Sequence, residues 1–216
     1  MCPQERVPGL ESAPARQLIS HEPIEGYVGE VLSTTLSGSG MGWGPAVEPF
    51  NAYLNDKKNG ATMLSIALGH AADALCHCVG EVRELSATMT VRRKTFTVAE
   101  TGESKPMTAD DQVAVSGLLM GGAAVSIHYR GGSSRGTNLL WEINGSEGDL
   151  QLTATGGQAQ IWEMDLPGGK GRAVLARDPA RAGARRGKAQ ALPPTSPRRT
   201  RVSPGTIARE RISARL

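Results

Sequence analysis

From Glu84 to Met164 the apolar residues tend to recur at every second position, in short runs separated by polar or glycine-bearing turns. Alternation of this kind belongs to strands with one buried face. The runs are Leu85–Val91, Thr95–Ala99, Gln112–Met120, Ala123–Tyr129, 138–143, 149–154 and Gln158–Met164. Gly121-Gly122 and the stretch Asn144–Gly148 are hairpin signals. A turn at Gly26–Gly29 leads into one more strand ending near Leu36. Consecutive strands with short connections fold as an antiparallel meander.

Ahead of the period-two region the pattern is helical. Over residues 61–79, Leu64, Ala67, Ala71, Ala74, Leu75 and Cys78 fall on one side at the helix period, and Gly80 is a natural stop. A weaker helical pattern covers residues 8–23. The expected fold class is α+β, an open and mainly antiparallel sheet with helices on one face. The expected divisions are an N-terminal segment 1–23, a sheet domain 24–166 and a tail 167–216. Between strand and helix, residues 37–60 form a long Gly- and Asn-rich loop that carries Trp43, Phe50 and Tyr53. Long loops of this kind are often functional.

Charge separates the tail from the rest. Residues 1–169 hold eleven Lys and Arg against nineteen Asp and Glu, a net of −8; residues 170–216 hold thirteen against two, a net of +11. The tail is rich in Arg, Ala, Pro and Gly without a sustained period, and is expected to be disordered. Translation of a GC-rich gene in a shifted frame produces the same mixture. It lacks interleaved aromatics, so nucleic acid is not the expected partner. No apolar run reaches the length of a membrane span, and the N-terminal residues do not read as a secretory signal. Cys2, Cys76 and Cys78 form no disulfide framework, which points to a reducing, cytoplasmic setting.

Two glycine clusters invite a phosphate-binding reading and fail it. In Gly38-Ser39-Gly40-Met41-Gly42-Trp43-Gly44 the sixth position of a dinucleotide fingerprint is Trp43 or Pro45, and no helix is expected to follow. Gly168-Gly169-Lys170-Gly171 lacks the Walker spacing. No cofactor is therefore expected to bind this chain by itself. His70, Asp73 and His77 share a helical stripe, but the two histidines stand about 10 Å apart along the axis, too far for one metal ion.

The stretch Asn59-Gly60-Ala61-Thr62-Met63-Leu64-Ser65-Ile66-Ala67-Leu68-Gly69-His70-Ala71-Ala72-Asp73-Ala74-Leu75 resembles the second-domain helix of the glucose–fructose oxidoreductase / inositol dehydrogenase family. Gly26-Tyr27-Val28-Gly29-Glu30-Val31 is similar to that family's entry into its first sheet strand. Asn144-Gly145-Ser146-Glu147-Gly148-Asp149-Leu150 is similar to a later turn. The nearest flavour is the subgroup similar to the galactose/lactose metabolism regulatory protein. The resemblance covers roughly residues 8–166.

The resemblance implies a Rossmann domain ahead of the sheet domain, NAD or NADP as cofactor, and a sugar or polyol substrate. It places the family's catalytic histidine at His70, as general acid/base. Trp43, Tyr53 and Asp73 would then line the substrate side. Three departures stand against catalysis. The family's acid four residues before the histidine is Ile66 here, the Rossmann domain is absent, and the tail is unlike the family's closing segment.

Two readings follow. One is a truncated or split oxidoreductase that keeps the substrate and oligomer surface and takes NAD(P) only if another chain supplies it. The other is a non-catalytic regulatory or interaction protein. Either way the sheet is expected to build a homo-oligomer. Val113, Val115, Leu119, Val125 and Ile127 need the helix on one side, and Leu118, in the opposite phase, needs another cover.

Overall fold

The computed structural model describes residues 21–171 and the backbone of residues 212–215. A helix α1 (His21–Val28) is followed by β1 (Val31–Gly40) and a short β2 (Ala46–Val47). A run of 3-10 turns then leads to helix α2 (Gly69–Val79). Beyond it come β3 (Val82–Thr90), β4 (Thr95–Val98), β5 (Ser104–Pro106), β6 (Gln112–Leu119), β7 (Ala124–Gly131), β8 (Leu139–Gly145) and β9 (Gly148–Ala154). Three short strands close the series: β10 (Met164–Asp165), β11 (Gly168–Lys170) and β12 (Ile212–Arg215).

The main sheet has the order β10-β9-β8-β1-β7-β6-β3-β12, with β11 also on β9, and a small second sheet has the order β2-β4-β5. The α+β class stands, but the meander is interrupted. β1 lies between β7 and β8, parallel to the first and antiparallel to the second. Hydrophobic alternation sets which residues face the core. It carries no instruction about which strand is the neighbour.

One face of the sheet is the core. Leu36, Trp141, Tyr129, Ile127 and Val113 point inward and meet Ile24 and Val28 of α1 and Ala71, Leu75 and Cys78 of α2. Val47, Phe96, Val98 and Met107 form a separate small core under the second sheet. The run Thr95–Ala99 therefore belongs to that sheet and not to the main one.

Helix α2 begins differently from its periodic pattern. Residues Leu64–Leu68 form a π turn, closed by Leu68 N–H donating to the Met63 carbonyl. A π turn admits one extra residue, which rotates everything before it. Met63 is consequently buried and Leu64, expected in the core, is 38% exposed. The start is held by Thr62 and Ser65. The Thr62 N–H donates to Ser65 Oγ, and the Ser65 N–H to Thr62 Oγ1, a reciprocal cap. Gly80, at φ 96°, ends α2 in a conformation only glycine adopts readily.

Several local expectations are corrected. Residues 26–28 finish α1 rather than forming a turn, because Ile24 and Val28 bury one side of a helix there. The remainder of the segment 8–23, before His21, lies outside the described residues. Gln158–Met164 is mostly turn, and only Met164–Asp165 pairs with β9. The sheet continues past residue 166 through β11, where Lys170 sits over the Tyr27 ring at 4.8 Å. Of the tail expected to be disordered, residues 172–211 lie outside the described residues. Ile212–Arg215 instead pairs antiparallel with β3, whose outer edge offers unpaired backbone groups.

A buried carboxylate closes one end of the sheet. Asp111 is fully buried and accepts from Arg92 N–H at 2.6 Å, Arg93 N–H at 3.2 Å and Arg93 Nη1 at 2.9 Å. The same Arg93 nitrogen donates to the Gly131 carbonyl at 3.1 Å. The main chain of Asp111 joins the knot, receiving Gly131 N–H and donating to Thr90. The ends of β3, β6 and β7 are thus tied together.

Candidate functional site

Helix α2 presents His70, Asp73 and His77 to solvent, as their shared stripe requires. Ile66 is partly buried and packs on the core. No side-chain partner is recorded for His70 among the described residues. Among those residues, no three His, Cys, Asp or Glu side chains come together as a metal site. Neighbouring Cys76 and Cys78 are not joined in a disulfide, and burial pushes the Cys78 thiol up to about 12. The Cys76 thiol is also raised, by burial first and then by the charge of Glu81.

The two aromatics expected beside His70 have different fates. Trp43 is 3% exposed, and its indole N–H donates to the Leu54 carbonyl at 2.9 Å. It packs into the core, where it anchors the 37–60 segment. Tyr53 is 53% exposed and shares the 3-10 segment Pro49–Asn55 with the still more exposed Phe50. Residues three apart in a 3-10 helix stand one above the other, so the two rings leave the same side.

The glycine cluster after β1 makes room for the protein's own side chains. A Cβ on Gly38 would run into the Tyr129 ring; one on Gly40 would meet Met63 and Trp43 at 2.8 Å; one on Gly42 would meet Leu54 at 2.8 Å. A dinucleotide needs such glycines turned toward a pyrophosphate at a helix N-terminus. Here a three-residue 3-10 turn, Met41–Trp43, follows the strand. The Gly38–Gly44 cluster therefore lacks the strand–glycine–helix arrangement of a dinucleotide fingerprint.

On the other face of the sheet the sequence singled out Leu118 alone, as a position in need of a cover. Register places three rows of outward residues across six strands. They are Glu84, Leu118, Ala124, Ser33, Asn144 and Asp149; then Ser86, Ser116, Ser126, Thr35, Glu142 and Gln151; then Thr88, Ala114, His128, Ser37, Leu140 and Thr153. No helix covers these rows among the described residues. The signal was in the sequence, as the Ser, Thr and Ala that alternate with the core positions. Strand order was needed to assemble them.

A family model described as Gal80p, C-terminal domain (Gal80p_C-like), matches residues 13–154. The chain belongs to this family. The galactose/lactose metabolism regulatory protein GAL80 of Kluyveromyces lactis is 30% identical over 164 residues, which is 70% of this chain and 35% of that protein. Its counterpart from Saccharomyces cerevisiae is 28% identical over 164 residues, 70% of this chain and 37% of the relative. The chain spans about a third of the length of these curated relatives. In structure, a super-repressor mutant of Gal80p from Saccharomyces cerevisiae superposes with a TM-score of 0.65 at 25% identity, over 72% of this chain and 43% of that one. Levoglucosan dehydrogenase, solved with NADH and L-sorbose, gives 0.52 at 21% identity over 69% of this chain and 43% of that one, and shares the fold alone. The Gal80p-like domain thus sits on a sheet also used by NAD-binding sugar oxidoreductases. No helix among the described residues is long and apolar enough to cross a membrane.

Proposed function

We propose that this chain is a regulatory, contact-making domain of the Gal80p kind, acting through protein surfaces rather than through catalysis. The observation that carries this reading is the isolation of His70. A general acid/base is normally oriented by a second polar group within hydrogen-bond reach. The place four residues earlier is Ile66, which packs on the core, and His70 stands on an exposed stripe with no recorded partner. The curated relatives are themselves named as regulatory proteins of galactose and lactose metabolism.

In this reading the outer face of the sheet receives a second copy. Self-association is expected at micromolar concentration. Sedimentation velocity of the purified chain should show a dimer that dissociates on dilution; a monomer across the whole micromolar range contradicts the proposal.

The retained histidine favours a second reading. If a separate chain supplies a Rossmann domain with NAD or NADP, His70 becomes the acid/base toward a sugar or polyol, with Tyr53 and Asp73 on the substrate side. Trp43, being buried, would act there only by shaping the segment that carries Tyr53.

A further inference from the structure

β3 is unevenly covered along its two sides. On one side it pairs with β6 from Val82 to Thr90. On the other side the described residues place only Ile212–Arg215, four residues against nine. None of the nine is proline, so each carries an N–H. Those turned away from β6 form a row that a further strand can pair with.

Register and residue type agree on this edge. Ile212 lies opposite Ala87 and Ala214 opposite Leu85, two positions in the phase of Met89, which packs on the core. Ser213 lies opposite Ser86 and Arg215 opposite Glu84, two exposed positions of the outward phase. An apolar residue, a small polar one, a second apolar one and a basic one thus meet matching positions in turn. A slip of one residue would set Ile212 against an outward position and undo the match. Glu84 is the sole carboxylate of β3, and an opposite charge directly across a strand pair is favourable.

We infer that the outer edge of β3 is a strand-addition site for an extended segment of a partner protein, read as apolar, polar, apolar, basic from Ala87 back to Glu84. The chain's own Ile212–Arg215 occupies it as an intramolecular stand-in. Main-chain hydrogen bonds supply the affinity of such a site, and alternate side-chain positions supply the selectivity. Four paired residues are too few to hold a free strand in water. Tethering to the same chain, through residues 172–211, raises the effective concentration of the segment and makes four enough. The opposite net charges of tail and body add a long-range attraction. A partner segment that pairs along all nine residues offers more than twice the ladder and displaces the stand-in. The site lies on the edge of the sheet, apart from its outer face, and requires no second copy of the chain.

A fluorescein-labelled peptide of residues 208–216, titrated into the full chain and followed by anisotropy, tests the site. Ser213→Pro together with Ala214→Pro in the chain removes two successive backbone donors, one of which faces β3. Clearing the edge in this way should tighten peptide binding by about tenfold or more over the wild type. A peptide with Ile212 and Ser213 exchanged should bind the cleared chain about tenfold more weakly, because its alternation is broken. Hydrogen exchange on adding the peptide should slow within Glu84–Ala87 and leave β7 unchanged. Equal affinity for the wild type and the double-proline chain overturns the stand-in. Equal affinity for the two peptides overturns the reading by alternation. No binding to the cleared chain up to about millimolar peptide, or protection elsewhere than on β3, overturns the site itself.

Discussion

Replacing Asp111 by alanine is expected to cost about 3–5 kcal/mol of folding stability, because two backbone N–H groups lose their acceptor at about 1–3 kcal/mol each. The carboxylate has no exposure and holds two backbone N–H groups and the Arg93 guanidinium. Its loss leaves those donors facing a space that alanine cannot fill. Arg93 is partly exposed and can turn outward to water, but the N–H groups of Arg92 and Arg93 are fixed in the chain. The effect should be cooperative, because the same residue links the ends of β3, β6 and β7. For a domain of this size each kcal/mol moves the melting temperature by about 2–4 °C, so a fall of roughly 10 °C is expected by circular dichroism. Asp111→Asn keeps one acceptor oxygen and should fall between. A shift of only a degree or two for the alanine variant would show that the knot does not hold the sheet end.

Trp141→Ala should be comparably severe, at about 3–5 kcal/mol. Trp141 is 1% exposed, between Leu36 on β1 and Leu152 on β9 in the central row of the core face. Its indole N–H donates to Thr34 Oγ1 at 2.8 Å, and that hydroxyl in turn donates to the Glu142 carbonyl at 3.0 Å. Truncation therefore leaves a cavity and takes away the donor to a buried hydroxyl. Trp141→Phe separates the two terms. It retains much of the volume and loses the N–H, with an expected cost of about 1–3 kcal/mol. Urea unfolding of the pair measures both, and equal midpoints for phenylalanine and tryptophan would mean that the hydrogen bond adds nothing.

What was legible in the sequence is what depends on local periodicity. Val113, Val125 and Ile127 announce an inward face by alternation alone, and the structure buries all three. The helix around His70 was legible for the same reason. Its exact phase was not, because the π turn at Leu64–Leu68 depends on how Met63 fits against Gly40, a contact between distant parts of the chain. The insertion of β1 between β7 and β8 was equally out of reach, since a parallel neighbour leaves no turn signal.

Trp43 shows the limit for sites. The resemblance put Trp43 on the substrate side, yet the glycines around it are spaces for core side chains. The exposure of His70, Asp73 and Tyr53 follows from helical phase and loop position.

The central claim is that this domain makes contacts and does not handle a nicotinamide cofactor. Isothermal titration of the purified chain with NADH and with NADPH tests it most directly. No saturable heat is expected up to about millimolar ligand, because the described residues hold no strand–glycine–helix cradle for a pyrophosphate. Saturable binding of either nucleotide at micromolar concentration would contradict the account and restore a catalytic reading of His70.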